Sequence, residues 1–422
     1  MNEPVDLEND PGAATRSPML MLITATIGFA VNFWAWALIS PLGAAYRDQL
    51  DLTATQQALL VAVPVVVGSL GRIPVGALTD RLGARTMFPA ITVLTIIPVL
   101  FVGLVADSYP LLLLGGFFLG LGGTTFAVGV PLINAWFPPQ RRGSALGIFG
   151  IGMGGTAISA FTTVKLSTAY GHAAPFLIVA VVLAIYAAVS AILLRDAPNR
   201  TTSPGSFLQR SWAAAKLPVT GQLAILYAVG FGGFVAFSVY LPTYLRNAFD
   251  LTQNDAALRT AGFVILAVAM RPVGGWLSDR VDPAVVLASC FIVAAVLAAV
   301  TALELPLIPV GTIAFLGLAA MLGAASGACF ALVARRAPAA QVGSVTGLVG
   351  AAGGLGGFVP PLIMGVLYGR TGDYSIGLGL LAVVALGSAV YTWFVVRRPS
   401  APLQPDLETA PSTQRTARDD RR

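Results

Sequence analysis

Twelve long apolar segments, separated by short connectors, constrain this sequence more than any other feature. A helix that crosses a bilayer needs about 20 mostly apolar residues. Only 10% of the residues are charged, whereas soluble domains carry about 25%, and the mean hydropathy is +0.81. The segments are 19–44, 57–79, 87–106, 110–136, 144–169, 174–194, 221–245, 257–278, 283–302, 306–333, 344–368 and 375–396. The pattern predicts an all-α integral membrane protein with twelve transmembrane helices.

The longest connector, 195–220, divides the segments into six and six. Lys and Arg collect on the cytoplasmic side of membrane proteins. With the N-terminus inside, the inner parts of the chain hold 18 of these residues and the outer loops hold 4. We therefore expect both termini in the cytoplasm. The predicted parts are a cytoplasmic N-tail (1–18), a six-helix bundle (19–194), a cytoplasmic linker (195–220), a second six-helix bundle (221–398) and a disordered cytoplasmic tail (399–422).

An internal repeat relates the two sets of six segments. Residues 51–81 align without a gap on 250–280, and 12 of the 31 positions are identical. A second match, at an offset of 200, pairs Gly147, Gly150 and Gly154 with glycines 347, 350 and 354. The repeat predicts two pseudo-symmetric bundles related by an axis along the membrane normal, with a substrate site near the midplane between them.

Arg72 and Arg271 occupy equivalent places in this repeat, each eight residues before the Asp-Arg pair that ends its segment. That spacing places each about 12 Å from the cytoplasmic edge of a core about 30 Å thick. A charge at such depth costs from about 2.5 to over 10 kcal/mol and usually serves a function. The segments contain no Asp or Glu away from their ends. Because the guanidinium fork binds two oxygens at once, the pair predicts a site for a planar anion: nitrate, nitrite, formate, bicarbonate or a small carboxylate.

Lys165 is a third cation within a segment. Near the outer end of the fifth segment, its long side chain either reaches the lipid headgroups or guides anions inward. The sequence favours neither.

Glycine stretches recur in the fifth and eleventh segments. Small residues every three or four positions allow helices to approach closely and slide, so we expect a moving contact between the halves. These glycines are Gly147, Gly150, Gly152, Gly154 and Gly155, and Gly347, Gly350, Gly353, Gly354, Gly356 and Gly357.

Acidic and basic residues follow the second and eighth segments, where they could latch the cytoplasmic side when it is closed. The alternative is a charge cluster that serves topology alone. The predicted latch consists of Gly76, Asp80, Arg81, Gly83, Arg85, Asp279 and Arg280.

Other functional classes lack the necessary residues. His172 is the only histidine, and the segments have no internal carboxylates, so no acid–base or metal constellation is expected and the chain should not be an enzyme. We expect no cofactor and no metal. The net charge of +6 follows from the loop asymmetry and requires no nucleic acid. Lipid is the expected environment, with a monomer in the cytoplasmic membrane.

The loop 76–85 reads Gly-Ala-Leu-Thr-Asp-Arg-Leu-Gly-Ala-Arg and resembles the signature of the major facilitator superfamily. Within that superfamily, the sequence resembles the nitrate/nitrite porters. The shared features are the arginine pair, the glycine stretches, and the sequences Thr-Phe-Ala at 125–127 and Trp-Phe-Pro at 136–138. The resemblance implies that Arg72 and Arg271 clamp nitrate, and it places aromatic residues around the anion. These are Tyr227, Phe231 and Phe126. Met153 stands where many members have Asn, which leaves the preference between nitrate and nitrite open.

We expect alternating access, in which the halves rock about the anion between Arg72 and Arg271. Exchange of nitrate for nitrite is favoured over proton-linked uptake, because closing an empty site would bury two bare charges. Two other readings remain. One is an exchanger of small carboxylates of the oxalate or formate type; the more remote one is a membrane nitrate sensor, for which the linker and tail are short.

Overall fold

The computed structural model describes residues 17–198, 207–338 and 341–397, and within these residues all regular structure is helical. Twelve helices in this part of the chain are long and apolar enough to cross a membrane. The expected fold class is therefore confirmed. Residues 1–16, 199–206, 339–340 and 398–422 lie outside the described residues, and with them most of the predicted N-tail (1–18) and all of the predicted C-terminal tail (399–422).

The first half contains α1 to α6, three of which are interrupted by a short 3₁₀ turn. These elements are α1 (Pro18–Trp36, turn Ser40–Leu42, Gly43–Leu50), α2 (Ala54–Leu70 and Arg72–Leu82), α3 (Ala84–Leu104), α4 (Tyr109–Leu119, turn Gly120–Thr124, Thr125–Trp136), α5 (Pro139–Gly150, turn Ile151–Gly154, Gly155–Tyr170) and α6 (Ala174–Leu193).

A short linker helix, Phe207–Ala215, lies within the predicted linker and precedes the second half. The second half contains α7 (Pro218–Phe249), α8 (Gln253–Arg280), α9 (Pro283–Ala302), α10 (π-turn Leu307–Gly311, then Thr312–Arg336), α11 (Val342–Gly356 and Val359–Thr371) and α12 (Ser375–Tyr391, then π-turn Thr392–Val396).

The repeated Asp-Leu-Thr sequence starts the second helix of each half in the same way. Asp51 and Asp250 adopt left-handed backbone angles, with φ of 49° and 51°. Two residues later, the side chains of Thr53 and Thr252 accept hydrogen bonds from backbone amides of the first turn and so cap α2 and α8. Both arginines therefore lie on helices that start from the same local structure.

Glycines bring α8 and α10 into close contact. A Cβ at Gly323 would lie 2.1 Å from the Ala267 carbonyl oxygen, and one at Gly327 would lie 2.1 Å from the Arg271 carbonyl oxygen. Only hydrogen fits at these positions. The backbone of Arg271 is thus fixed by direct contact with α10.

The two halves meet at the end of the molecule opposite Ser17 and Arg397, the first and last described residues. Ser40 Oγ donates to the Val239 carbonyl at 2.6 Å, and Gln57 Nε2 donates to Thr243 Oγ1 at 3.2 Å. At the rim, Arg246 of α7 forms an ion pair with Asp48 of α1. These contacts close this end of the interface between the halves.

Candidate functional site

Arg72 lies at the centre of the interface between the halves and is only 8% exposed. Its Nε donates to the Gly123 carbonyl of α4 at 3.3 Å, and its Nη1 donates to the Gly350 carbonyl of α11 at 2.9 Å. The second bond joins the first half to the second. Arg72 is thus held by two neutral backbone carbonyls, one from each half.

Arg271, in the second half, contacts the first half in turn. Its Nη1 contacts the thioether sulfur of Met153 in α5, and its Nη2 donates to the Tyr227 hydroxyl at 3.2 Å. A thioether is only a weak acceptor. Arg271 therefore has one good neutral partner in its own half and a poor one across the interface.

An aromatic ring lies against each guanidinium group. Cζ of Arg72 lies 5.1 Å from the ring centre of Phe126, and Cζ of Arg271 lies 5.3 Å from that of Phe231. The rings of Phe231 and Tyr227 are stacked, with centres 4.9 Å apart and planes 6° from parallel. These rings orient the cations through cation–π attraction and form flat walls beside them.

The two arginines are close enough for their charges to interact. Among the described residues neither forms an ion pair with a carboxylate. The same part of the chain has no group of three His, Cys, Asp or Glu side chains that could hold a metal ion. The local charge therefore favours an anion.

A small cavity of about 10 Å³ adjoins Arg72. It is lined by Phe33, Trp36, Val65, Gly68, Ser69, Arg72, Gly123, Phe231, Val235 and Gly354. This volume suits about one water molecule. A polyatomic anion would need the arginine side chains to turn away from Gly350 and Met153.

The family model described as Major Facilitator Superfamily matches residues 25–359 and 223–419. The "Probable nitrate/nitrite transporter NarK2" of Mycobacterium tuberculosis (strain ATCC 25618 / H37Rv) is 50% identical over 387 residues, which cover 91% of this chain and 98% of that protein. The chain belongs to the nitrate/nitrite porters of the major facilitator superfamily. The family resemblance inferred from the sequence is thereby confirmed, and with it the expectation of a transporter rather than an enzyme.

Two further matches agree with this result, one in sequence and one in fold. The "Nitrite extrusion protein" of Bacillus subtilis (strain 168) is 36% identical over 371 residues, covering 88% of this facilitator and 93% of that protein. Among solved structures, a bacterial homologue of the human lysosomal transporter Spinster, in an inward-facing and occupied conformation, superposes with a TM-score of 0.68. That structure covers 89% of this facilitator and 96% of its own chain at 17% identity, so it supports the fold alone.

The glycine stretches of the facilitator divide between two kinds of contact. Gly152 and Gly155 pack on α1 within their own half, against Phe29 and the Ala30 carbonyl. Gly353, Gly356 and Gly357 likewise pack on α7, against Tyr227, the Ala228 carbonyl and Val235. In α11, Gly354 and Gly350 face the first half. Within these stretches, the glycine contacts between the halves among the described residues are thus found only in α11, at Gly350 and Gly354, because successive glycines point to different sides of a helix.

Four glycines of these stretches have open space around them. A Cβ at Gly147, Gly150, Gly154 or Gly347 would meet no described atom within 4 Å. In this conformation they make no close helix contact. Their predicted role in movement between the halves stays a prediction.

The cytoplasmic loop residues of the predicted latch lie at the ends of α2 and α8. Gly83 ends α2 with φ of 84°. Asp196, which follows α6, caps the start of α3 by accepting a hydrogen bond from the Ala84 amide at 2.8 Å. Arg280 lies over the ring of Trp276 at 3.9 Å, and Asp279 is exposed. A latch across the halves remains a prediction.

Lys165 does not join the arginine pair. Its side chain is exposed on α5, with Nζ 4.0 Å from the ring centre of Phe161, which is also exposed. This position favours the first of the two readings of Lys165, in which the side chain extends toward the headgroups.

Sequence reasoning missed three residues of the site: Gly123, which accepts from Arg72; Gly327, which packs on the Arg271 backbone; and Ser69 in the cavity. Gly327 carried a signal, since Gly323 and Gly327 form a small-residue pair four positions apart. Gly123 acts through its carbonyl, which a sequence does not distinguish.

Proposed function

We propose that this facilitator carries nitrate and nitrite across the cell membrane, with the anion bound between Arg72 and Arg271. The observation that carries the proposal is the meeting of one guanidinium from each half, without a carboxylate partner among the described residues. A bound anion would supply the missing negative charge. The relatives named as nitrate or nitrite transporters support the choice of anion.

The side chains around the arginines suit a small, flat anion. Each guanidinium can donate two parallel hydrogen bonds to adjacent oxygens. The rings of Phe126 and Phe231 lie beside the arginines as flat walls. Tetrahedral phosphate or sulfate would fit between such walls less well than planar nitrate or bent nitrite.

Transport by alternating access follows from the contacts that cross the interface. An anion that binds both arginines competes with Gly350 and Met153, which now connect the halves near the centre. The end that lies opposite the first and last described residues is closed by Ser40, Gln57 and the Asp48–Arg246 pair. Rocking of one half on the other would open that end and close the cytoplasmic end.

The same charges favour exchange of nitrate for nitrite. Without an anion, reorientation carries two unpaired cations through a low-dielectric region, which is costly. An anion bound in each direction of travel avoids that cost. Proton-linked uptake is the competing mechanism, with a proton accompanying the substrate.

The test replaces each arginine by lysine, which keeps the charge but loses the planar fork. Purified Arg72→Lys and Arg271→Lys are titrated with nitrate by calorimetry and assayed for uptake in proteoliposomes. We expect both binding and uptake to fall by at least about tenfold, as when a charge-assisted bidentate contact is lost. The matched control is Arg370→Lys at the exposed end of α11, which should behave as wild type.

Normal nitrate binding by either lysine variant would contradict the clamp. Competition separates the carboxylate alternative: formate and oxalate should displace labelled nitrate only weakly. If they displace it better than nitrite does, the protein is an exchanger of small carboxylates instead.

A further inference from the structure

Ser69 lies one turn before Arg72 on α2 and is 1% exposed. Both residues line the small cavity between the halves, together with Phe231 and Gly354 of the second half. Since residues three apart share a helix face, the Ser69 hydroxyl and the Arg72 guanidinium face the same space.

The hydroxyl of Ser69 differs from other buried hydroxyls in these helices. Thr79, Thr92 and Ser326 each donate to the carbonyl four residues earlier, at 2.7 to 2.9 Å. Ser69 Oγ donates to no carbonyl in the described parts of the chain and instead lines the small cavity beside Arg72. A buried hydroxyl without a hydrogen-bond partner lowers the stability of the fold by about 1–3 kcal/mol. This hydroxyl is therefore suited to a ligand that binds reversibly.

The neighbour across the interface packs closely on this hydroxyl. A Cβ at Gly354 of α11 would lie 2.2 Å from Ser69 Oγ. Any side chain there would displace the serine. The glycine therefore lets Ser69 Oγ lie directly at the interface between the halves, where it lines the small cavity beside Arg72.

We propose that Ser69 is a third ligand of the transported anion, its hydroxyl donating to an oxygen that Arg72 also approaches. This inference rests on the proposed anion site. The position equivalent to Ser69 in the second half is Val268, which has no donor. The site is thus asymmetric: the first half offers a guanidinium and a hydroxyl, and the second offers a guanidinium and the Tyr227 phenol.

The test is Ser69→Ala, measured by calorimetric titration of the purified full-length protein with nitrate and with nitrite. We expect the Kd for nitrate to rise about tenfold, since a hydrogen bond to a charged group is lost. The melting temperature without added anion should stay the same or rise, because no described residue loses a partner. Ser190→Ala in α6 is the matched control: Ser190 is equally buried but donates to the Ala187 carbonyl, so its variant should keep wild-type affinity.

Ser69→Cys separates the donor from the volume of the side chain. A thiol is a weak donor of nearly the same size, so this variant should bind nitrate as poorly as Ser69→Ala. Wild-type affinity in both variants would overturn the role of Ser69. If that result accompanies loss of binding in Arg72→Lys, the arginine site stands and only the third ligand is wrong; if Arg72→Lys also binds normally, the proposed function itself fails.

Discussion

Arg72 Nη1 lies 2.9 Å from the carbonyl oxygen of Gly350, although the two residues belong to opposite halves of the protein. The bond is made to a neutral acceptor at the centre of the interface. Arg271 makes a corresponding contact in the other direction, to Met153. Neutral acceptors hold a guanidinium less strongly than a carboxylate would, so an anion can take their place. The occupancy of the site and the contact between the halves therefore depend on each other.

The first prediction is that uptake of nitrate is coupled to the exit of another anion. Proteoliposomes loaded with nitrite, with nitrate or with neither are compared for uptake of labelled nitrate. We expect rapid uptake only where the vesicles contain an exchangeable anion, because return of the empty site exposes two unpaired charges to the membrane interior. Rapid uptake into empty vesicles under an imposed pH gradient would support proton symport and contradict exchange.

Gly354→Ala should impair transport by crowding the interface. The added methyl group would lie 2.2 Å from Ser69 Oγ, and overpacking of this kind costs about 1–3 kcal/mol. We expect a severalfold loss of nitrate uptake at equal protein in the membrane. Gly379→Ala in α12 serves as control, since a Cβ there meets no described atom within 4 Å; equal uptake by the two variants would argue against a close contact at Gly354.

The ion pair between Asp48 and Arg246 should stabilise the closed end only slightly. Its side chains are 60% and 31% exposed, and an exposed pair contributes at most about 1 kcal/mol, a factor of about 5 in the closed population. Asp48→Asn, which removes the ion pair without adding repulsion, should speed the labelling of a cysteine introduced at buried Thr243 by an impermeant maleimide, by no more than that factor. The swap Asp48→Arg with Arg246→Asp should restore slow labelling; failure of the swap to do so would show that the pair itself does not matter.

We expect the protonation of His172 to decrease the free energy of unfolding in mild acid. Burial lowers the pKa of its imidazole, opposed in part by a hydrogen bond with the Gly103 backbone, and its Nε2 lies 2.7 Å from the Tyr46 hydroxyl. An unfolded histidine titrates near about 6.5. Above that pH the ring is neutral in both states and its contribution is complete; as the pH falls below 6.5, the unfolded chain takes up the proton first and the free energy of unfolding decreases.

The measurement compares melting temperatures at pH 7.5 and 5.5 for wild type and His172→Gln. Carboxylates titrate in both proteins, so the difference between them isolates the histidine. We expect a smaller acid-induced decrease in the variant. Identical decreases would contradict a lowered pKa.

The membrane helices follow from the sequence because hydrophobic length is a local property. The repeated Asp-Leu-Thr predicted equivalent helices, and Thr53 and Thr252 cap α2 and α8 alike. The end of α1 was less accessible. The predicted segment ends at residue 44, before the polar residues Arg47 and Asp48, whereas the chain continues as a helix to Leu50 after a 3₁₀ turn.

The candidate site, too, could be predicted from the sequence only in part. The depth and repeat equivalence of Arg72 and Arg271 are readable from spacing, and the structure brings the two together. What each arginine contacts depends on helix packing: Gly350 and Gly123 accept through carbonyls that every residue has. Ser69 was missed because a serine in an apolar helix ordinarily bonds its own backbone, and only the packed structure reveals that this one does not.

The narrowness of the cavity beside Arg72 also bears on leakage. Protons move through proteins along chains of hydrogen-bonded water, and a space of about 10 Å³ admits about one molecule. Apolar groups such as Val65, Val235 and Phe33 surround it. With this packing, the cavity is too small to hold a chain of several water molecules, so we expect no proton leak through it while the halves are in this arrangement.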